Sequence, residues 1–95
     1  MDCYRLLTNG LITQHGTFTP STTNLQTVNY YITVAHPITV FAQANNNNND
    51  TGWSVNYFDR ITEVKTTYFK VQPMRQAAAS AAADNTAFSW YVEGY

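Results

Sequence analysis

The acidic side chains that could act as a pair are few. Asp59 and Glu63 are the closest in sequence among Asp2, Asp50, Asp59, Glu63, Asp84 and Glu93. On one strand they share a face about 13 Å apart, at ~3.3 Å per residue. Glycoside hydrolysis needs its two carboxyls about 5–9.5 Å apart. The spacing therefore reads as a turn acid and a surface acid beside Arg60 and Lys65, and the chain is expected not to be an enzyme. The histidines, His15 and His36, are isolated, and no Cys-x-x-Cys or His-x-His occurs. A metal site needs several such ligands at short spacing, so none is expected, and neither is a cofactor. Cys3, the single cysteine, reads as a buried or terminal thiol rather than a nucleophile. His15 is expected inside the first sheet or at a subunit contact, and His36, before Pro37, in a loop.

The stronger chemical resource is aromatic, at 15% of residues. Asn45, Asn46, Asn47, Asn48, Asn49 and Asp50 form a polar run, with Trp53 just beyond it. An exposed indole can stack on the C–H face of a pyranose while amides and a carboxylate take its hydroxyls. This loop, with Tyr31 and Tyr57 as further contacts, is the candidate ligand site. The competing reading makes Trp53 a core anchor and the Asn run a solvated loop.

Elements that would position these residues show a period of two. Val28, Tyr30, Ile32 and Val34 alternate with Asn29, Tyr31 and Thr33, and Ile38, Val40, Ala42 and Ala44 alternate with Thr39, Phe41 and Gln43. Trp53, Val55 and Tyr57 continue the pattern, and Phe88, Trp90 and Val92 place an aromatic pair inward. Such alternation argues half-buried strands. Tyr31, Tyr68 and Tyr91 are expected to point outward. Residues 62–71, rich in Thr, Val, Tyr and Phe, suit a strand with partners on both sides. Near the start, Asn9-Gly10 between apolar runs predicts a hairpin with a type I′ turn. Residues 73–84, with Pro73 leading an alanine-rich stretch, are the exception. They read as a short helix or a loop of small residues outside the strands. The fold class expected is all-β, a small antiparallel sandwich.

Ninety-five residues make one domain, 1–95. Only 12% are charged, with a net charge of −1. Low charge suits a chain that hides surface in an oligomer, or an extracellular domain surfaced with Thr and Asn. The five basic residues are scattered, which argues against nucleic acid. Apolar runs are too short for a membrane helix, and no signal peptide is visible.

Two segments carry a family resemblance. Tyr4-Arg5-Leu6-Leu7-Thr8-Asn9-Gly10-Leu11-Ile12-Thr13-Gln14-His15-Gly16 resembles the opening of the C-terminal domain of gp53-like phage tail-fibre proteins. That opening has a tyrosine and short strand, Asn/Gly, an aliphatic pair, then Gln-Trp-Gly. Phe88-Ser89-Trp90-Tyr91-Val92-Glu93-Gly94-Tyr95 is similar to the family's closing strand. His15 replaces the usual Trp, and the alanine-rich segment looks like an insertion. The resemblance implies a β-sandwich knob at the distal end of a fibre on a virion. Such a knob works as a homotrimer that contacts a bacterial surface glycan, such as lipopolysaccharide, or an outer-membrane protein, without membrane insertion. A strand beginning almost at Met1 is what an excised tip would show. The rival functions are a structural trimerisation cap and a glycan-degrading enzyme.

Overall fold

The computed structural model describes residues 3–45, 55–77 and 80–95. Eight strands are present among them: β1 (Cys3–Leu6), β2 (Ile12–Phe18), β3 (Gln26–Asn29), β4 (Pro37–Ala44), β5 (Val55–Val64), β6 (Tyr68–Ala77), β7 (Ser80–Ala83) and β8 (Phe88–Gly94). All pairings are antiparallel. One sheet has the order β1-β2-β8-β4, the other β3-β6-β5, with β7 also on β6. β3 and β7 share one edge of β6 in succession: β3 pairs with residues 68–71 and β7 with 74–77. The all-β sandwich expected from the alternation is the fold observed.

The core is where the two inner faces meet. Val28, Val34, Phe69, Val71, Phe88, Trp90 and Val92 are buried together. Phe69 of one sheet meets Trp90 of the other edge-on at 6.0 Å, and Phe18 stacks on Phe88 at 5.3 Å. Such aromatic pairs add about 0.5–1.5 kcal/mol beyond their area burial. The inward places expected for Phe88, Trp90 and Val92 hold.

Five local expectations change. The first turn is not type I′. The Leu7 carbonyl accepts from the Gly10 amide at 2.9 Å, and the Leu7 amide donates to Leu11 at 2.8 Å. The turn therefore centres on Thr8-Asn9, and Gly10 follows at φ +89°, the position a three-residue hairpin loop gives to glycine. Residues 28–34 do not form one strand. β3 ends at Asn29, and the chain crosses the β5–β6 turn, with Tyr30 and Val34 amides donating to Thr67 and Thr66.

Ile38 leaves the inner face. A bulge sets Pro37 opposite Gly94 and Thr39 opposite Glu93, which turns Ile38 out to 59% exposure. Residues 62–71 are likewise not one strand but the end of β5, a turn and the start of β6. Within that hairpin β6 does have partners on both edges.

The described residues of the alanine-rich segment belong to two paired strands rather than to a helix or loop. Met74, Arg75, Gln76 and Ala77 pair with Ala83, Ala82, Ala81 and Ser80. Every β7 side chain is exposed, so a helix here would have no apolar face to dock, and a short undocked helix is marginal. The open edge of β6 supplies backbone partners instead. The ladder stops where Pro73 accepts from the Asp84 amide at 2.9 Å, because proline returns no N–H.

Candidate functional site

Asn46, Asn47, Asn48, Asn49, Asp50 and Trp53 lie outside the described residues. Asn45 is described, and its amide is already engaged. Its Nδ2 donates to Ser89 Oγ at 2.9 Å, the Ser89 hydroxyl lies 3.0 Å from Asn45 Oδ1, and its backbone amide donates to Ala87 at 2.8 Å. Asn45 is thereby tied to β8 directly after β4 ends. Tyr31, 44% exposed, packs against Trp90 at 5.6 Å. Tyr57 is half-buried on β5, opposite Arg75. Tyr31 sits beside β2 and the β5–β6 turn, so the topology does not gather it with Asn45.

The acidic residues are arranged differently from expectation. A bulge at Thr62 puts Asp59 opposite Pro73 and Glu63 opposite Lys70. The added residue reverses the alternation, so Asp59 faces the sandwich interior and Glu63 the outside. Glu63 accepts from the Tyr68 hydroxyl at 2.9 Å. Asp59 is no turn acid. Both its carboxylate oxygens are buried with no hydrogen-bond partner among the described residues. Its pKa is pushed up to about 6, first by burial and then by the Asp84 carboxylate. Asp84 itself accepts from the Thr86 amide at 3.1 Å and from the Thr86 hydroxyl.

This pair has a consequence for stability. Asp59 holds its proton more tightly folded than unfolded, so its contribution is complete below about pH 4 and lost as pH rises through about 6. The side chain is half-buried, and solvent screening reduces the cost to about 1 kcal/mol at pH 7. Asp59→Asn is expected to recover that amount at pH 7 and to flatten the stability profile between pH 4 and 7. Urea unfolding at both pH values checks it, and an unchanged slope would remove the burdened carboxylate from the account.

The outer face of the four-stranded sheet holds side chains that can recognise a ligand. Register places His15, Tyr91 and Phe41 in one row across β2, β8 and β4. His15 is exposed here rather than packed between the sheets. Phe41 is 50% exposed, and its ring stacks on Tyr91 at 5.5 Å. The Tyr91 hydroxyl donates to Glu93 Oε1 at 2.7 Å, and this hydrogen bond raises the phenol pKa. Thr39 and Gln43 flank Phe41 on β4, both exposed. The sequence already carried the signal: Phe41 alternates with Val40 and Ala42 on the polar side of its strand, where a large aromatic has no core to fill.

No family model and no curated protein matches the chain. Solved structures do match in fold. An N-truncated R2-type pyocin tail fibre superposes with a TM-score of 0.68 at 14% identity, covering 100% of this chain and 38% of that one. A C-terminal portion of the R2 pyocin fibre of P. aeruginosa gives 0.67 at 14% identity, covering 100% of this chain and 26% of that one. The chain thus spans well under half the length of each fibre, and its all-β sandwich is similar throughout to a part of these tail fibres.

Proposed function

We propose that this chain is the receptor-binding domain of a tail fibre from a bacteriophage or phage-like particle. It acts as a homotrimer at the distal end of the fibre and adheres to a bacterial surface glycan or outer-membrane receptor. The observation that carries the reading is the fold likeness to pyocin tail fibres over the whole chain. The resemblance of the opening and closing strands to gp53-like tail-fibre domains points the same way. Adhesion by such a domain works through avidity, since three linked sites bind far more tightly than one.

A trimer is supported by the edge strand β1. Tyr4 and Leu6 pair with Gln14 and Ile12, whose side of the sheet faces the sandwich interior. Yet Tyr4 is 53% and Leu6 60% exposed, because the facing sheet does not extend over β1. Inward-directed apolar side chains without a cover suit a second copy of the same chain. The test has two arms. Labelled chain is expected to adsorb to cells of susceptible strains, and its solution mass to be three times the chain mass. A folded chain that adsorbs to no strain in a broad panel sinks the receptor-binding reading. A monomeric mass removes the trimer and leaves adsorption to stand or fall separately.

A further inference from the structure

We infer that the outer face of the four-stranded sheet is a saccharide-binding platform centred on Phe41. This rests on the reading of the chain as a receptor-binding domain and assigns its contact surface to a sheet face.

Phe41 lies on β4, the edge strand of that sheet. Tyr91 backs the ring from the neighbouring strand at 5.5 Å, and half the side chain stays in solvent. A ring held from behind and open in front is a preorganised stacking surface, because little freedom is lost when a ligand settles on it. Around it stand groups that exchange hydrogen bonds with hydroxyls. Thr39 and Gln43 flank it two residues either way along β4, both exposed. Glu93 lies opposite Thr39 and already holds the Tyr91 hydroxyl. A carboxylate in one such bond keeps lone pairs for further donors.

Chemistry selects the occupant. An apolar protein surface laid over this face would strip water from the Glu93 carboxylate without replacing its donors, which is costly. A saccharide instead brings hydroxyl donors to Glu93 and a C–H face to Phe41. The uncovered side of β1, with Tyr4 and Leu6, is the apolar surface that a second copy can cover. The two surfaces therefore divide the work.

The experiment uses the full chain on a printed array of bacterial surface polysaccharides, followed by titration of the polysaccharide bound best. Phe41→Ala is expected to weaken that binding tenfold or more, and Glu93→Gln several-fold. Leu25→Ala, an exposed apolar site just before β3, is the control and is expected to bind as wild type. Circular dichroism confirms that each variant is folded. Phe41→Ala with undiminished binding overturns the platform, as does binding abolished by replacing Asn46, Asn47, Asn48 and Asn49 with Ser while Phe41→Ala binds normally. Cell adsorption with no polysaccharide bound overturns the saccharide but leaves the receptor-binding reading intact. Failure of both removes the two together.

Discussion

Replacing Gln14 by leucine is expected to cost on the order of 3 kcal/mol, lowering the unfolding midpoint by roughly 10–20 °C. Gln14 is a fully buried polar side chain on β2. Its Oε1 accepts from the Tyr31 amide at 2.7 Å and the Ile32 amide at 3.2 Å, and its Nε2 donates to the Ile32 carbonyl at 2.7 Å. These are the backbone groups that lose sheet partners when the chain leaves β3. One side chain thus performs the pairing that a strand would otherwise supply. Leucine fills a similar volume but leaves two donors and an acceptor without partners, and each such buried group costs about 1–3 kcal/mol. Relaxation toward water recovers part of this.

Gln14→Glu separates the two halves of the anchor. A carboxylate still accepts from both amides but offers nothing to the Ile32 carbonyl, whereas a protonated carboxyl restores the donor. The glutamate variant is therefore expected to lie closer to wild type at pH 4 than at pH 7. Guanidinium unfolding of the three proteins at both pH values tests this. Wild-type stability for Gln14→Leu would show that packing and the Tyr30 and Val34 hydrogen bonds hold residues 30–34 without Gln14.

Gln14 also marks how far the sequence could be read. The alternation of Phe88, Trp90 and Val92 carried enough information to place a core strand, because burial of one face is a local pattern. A buried glutamine that satisfies backbone seventeen residues away is not local, and Gln sits on β2 without any marker of that role. Bulges defeated the reading in the same manner. One extra residue at Thr62 reverses every side chain beyond it, the bulge at Ile38 turns that side chain out while Val40 and Ala42 keep their inner places, and nothing in those residue types announces either. This is why Asp59 and Glu63 were expected on one face and stand on opposite ones. The alanine-rich segment failed for a further reason. Propensity favours a helix, but the open edge of β6 offers paired hydrogen bonds, and a tertiary partner outweighs a preference of tenths of a kcal/mol per residue. Asn45, Tyr31 and Tyr57 were chosen by type alone, and the fold engages Asn45 with Ser89 rather than leaving it to a ligand.

Gly94→Ala is expected to destabilise the domain by about 3 kcal/mol, at the upper end of what one inserted methyl costs. A Cβ there would lie 2.4 Å from the His36 carbonyl oxygen, 2.5 Å from Val34 Cγ1 and 2.9 Å from Pro37 Cα. Two of these three neighbours are backbone atoms, and the third belongs to a fully buried core side chain. The backbone cannot yield cheaply. His36 and Tyr95 exchange both amide bonds, at 2.8 and 3.1 Å, and Pro37 has its φ held by its ring. Making room means moving the start of β4 away from β8, which breaks the His36–Tyr95 pair and loosens Val34. Gly10→Ala is the internal comparison. Gly10 is strained for any other residue by φ +89°, but its added Cβ meets only Tyr95 Cδ1 at an ordinary 3.7 Å. Backbone strain of this kind costs about 1–2 kcal/mol. The expected order is Gly94→Ala well below Gly10→Ala in stability, with amide exchange at His36 and Tyr95 accelerated only in the Gly94 variant. The reverse order would mean that the contact between β4 and β8 has slack. Phe41 and Tyr91 are set against each other by that same pairing, so their stacking depends on its tightness.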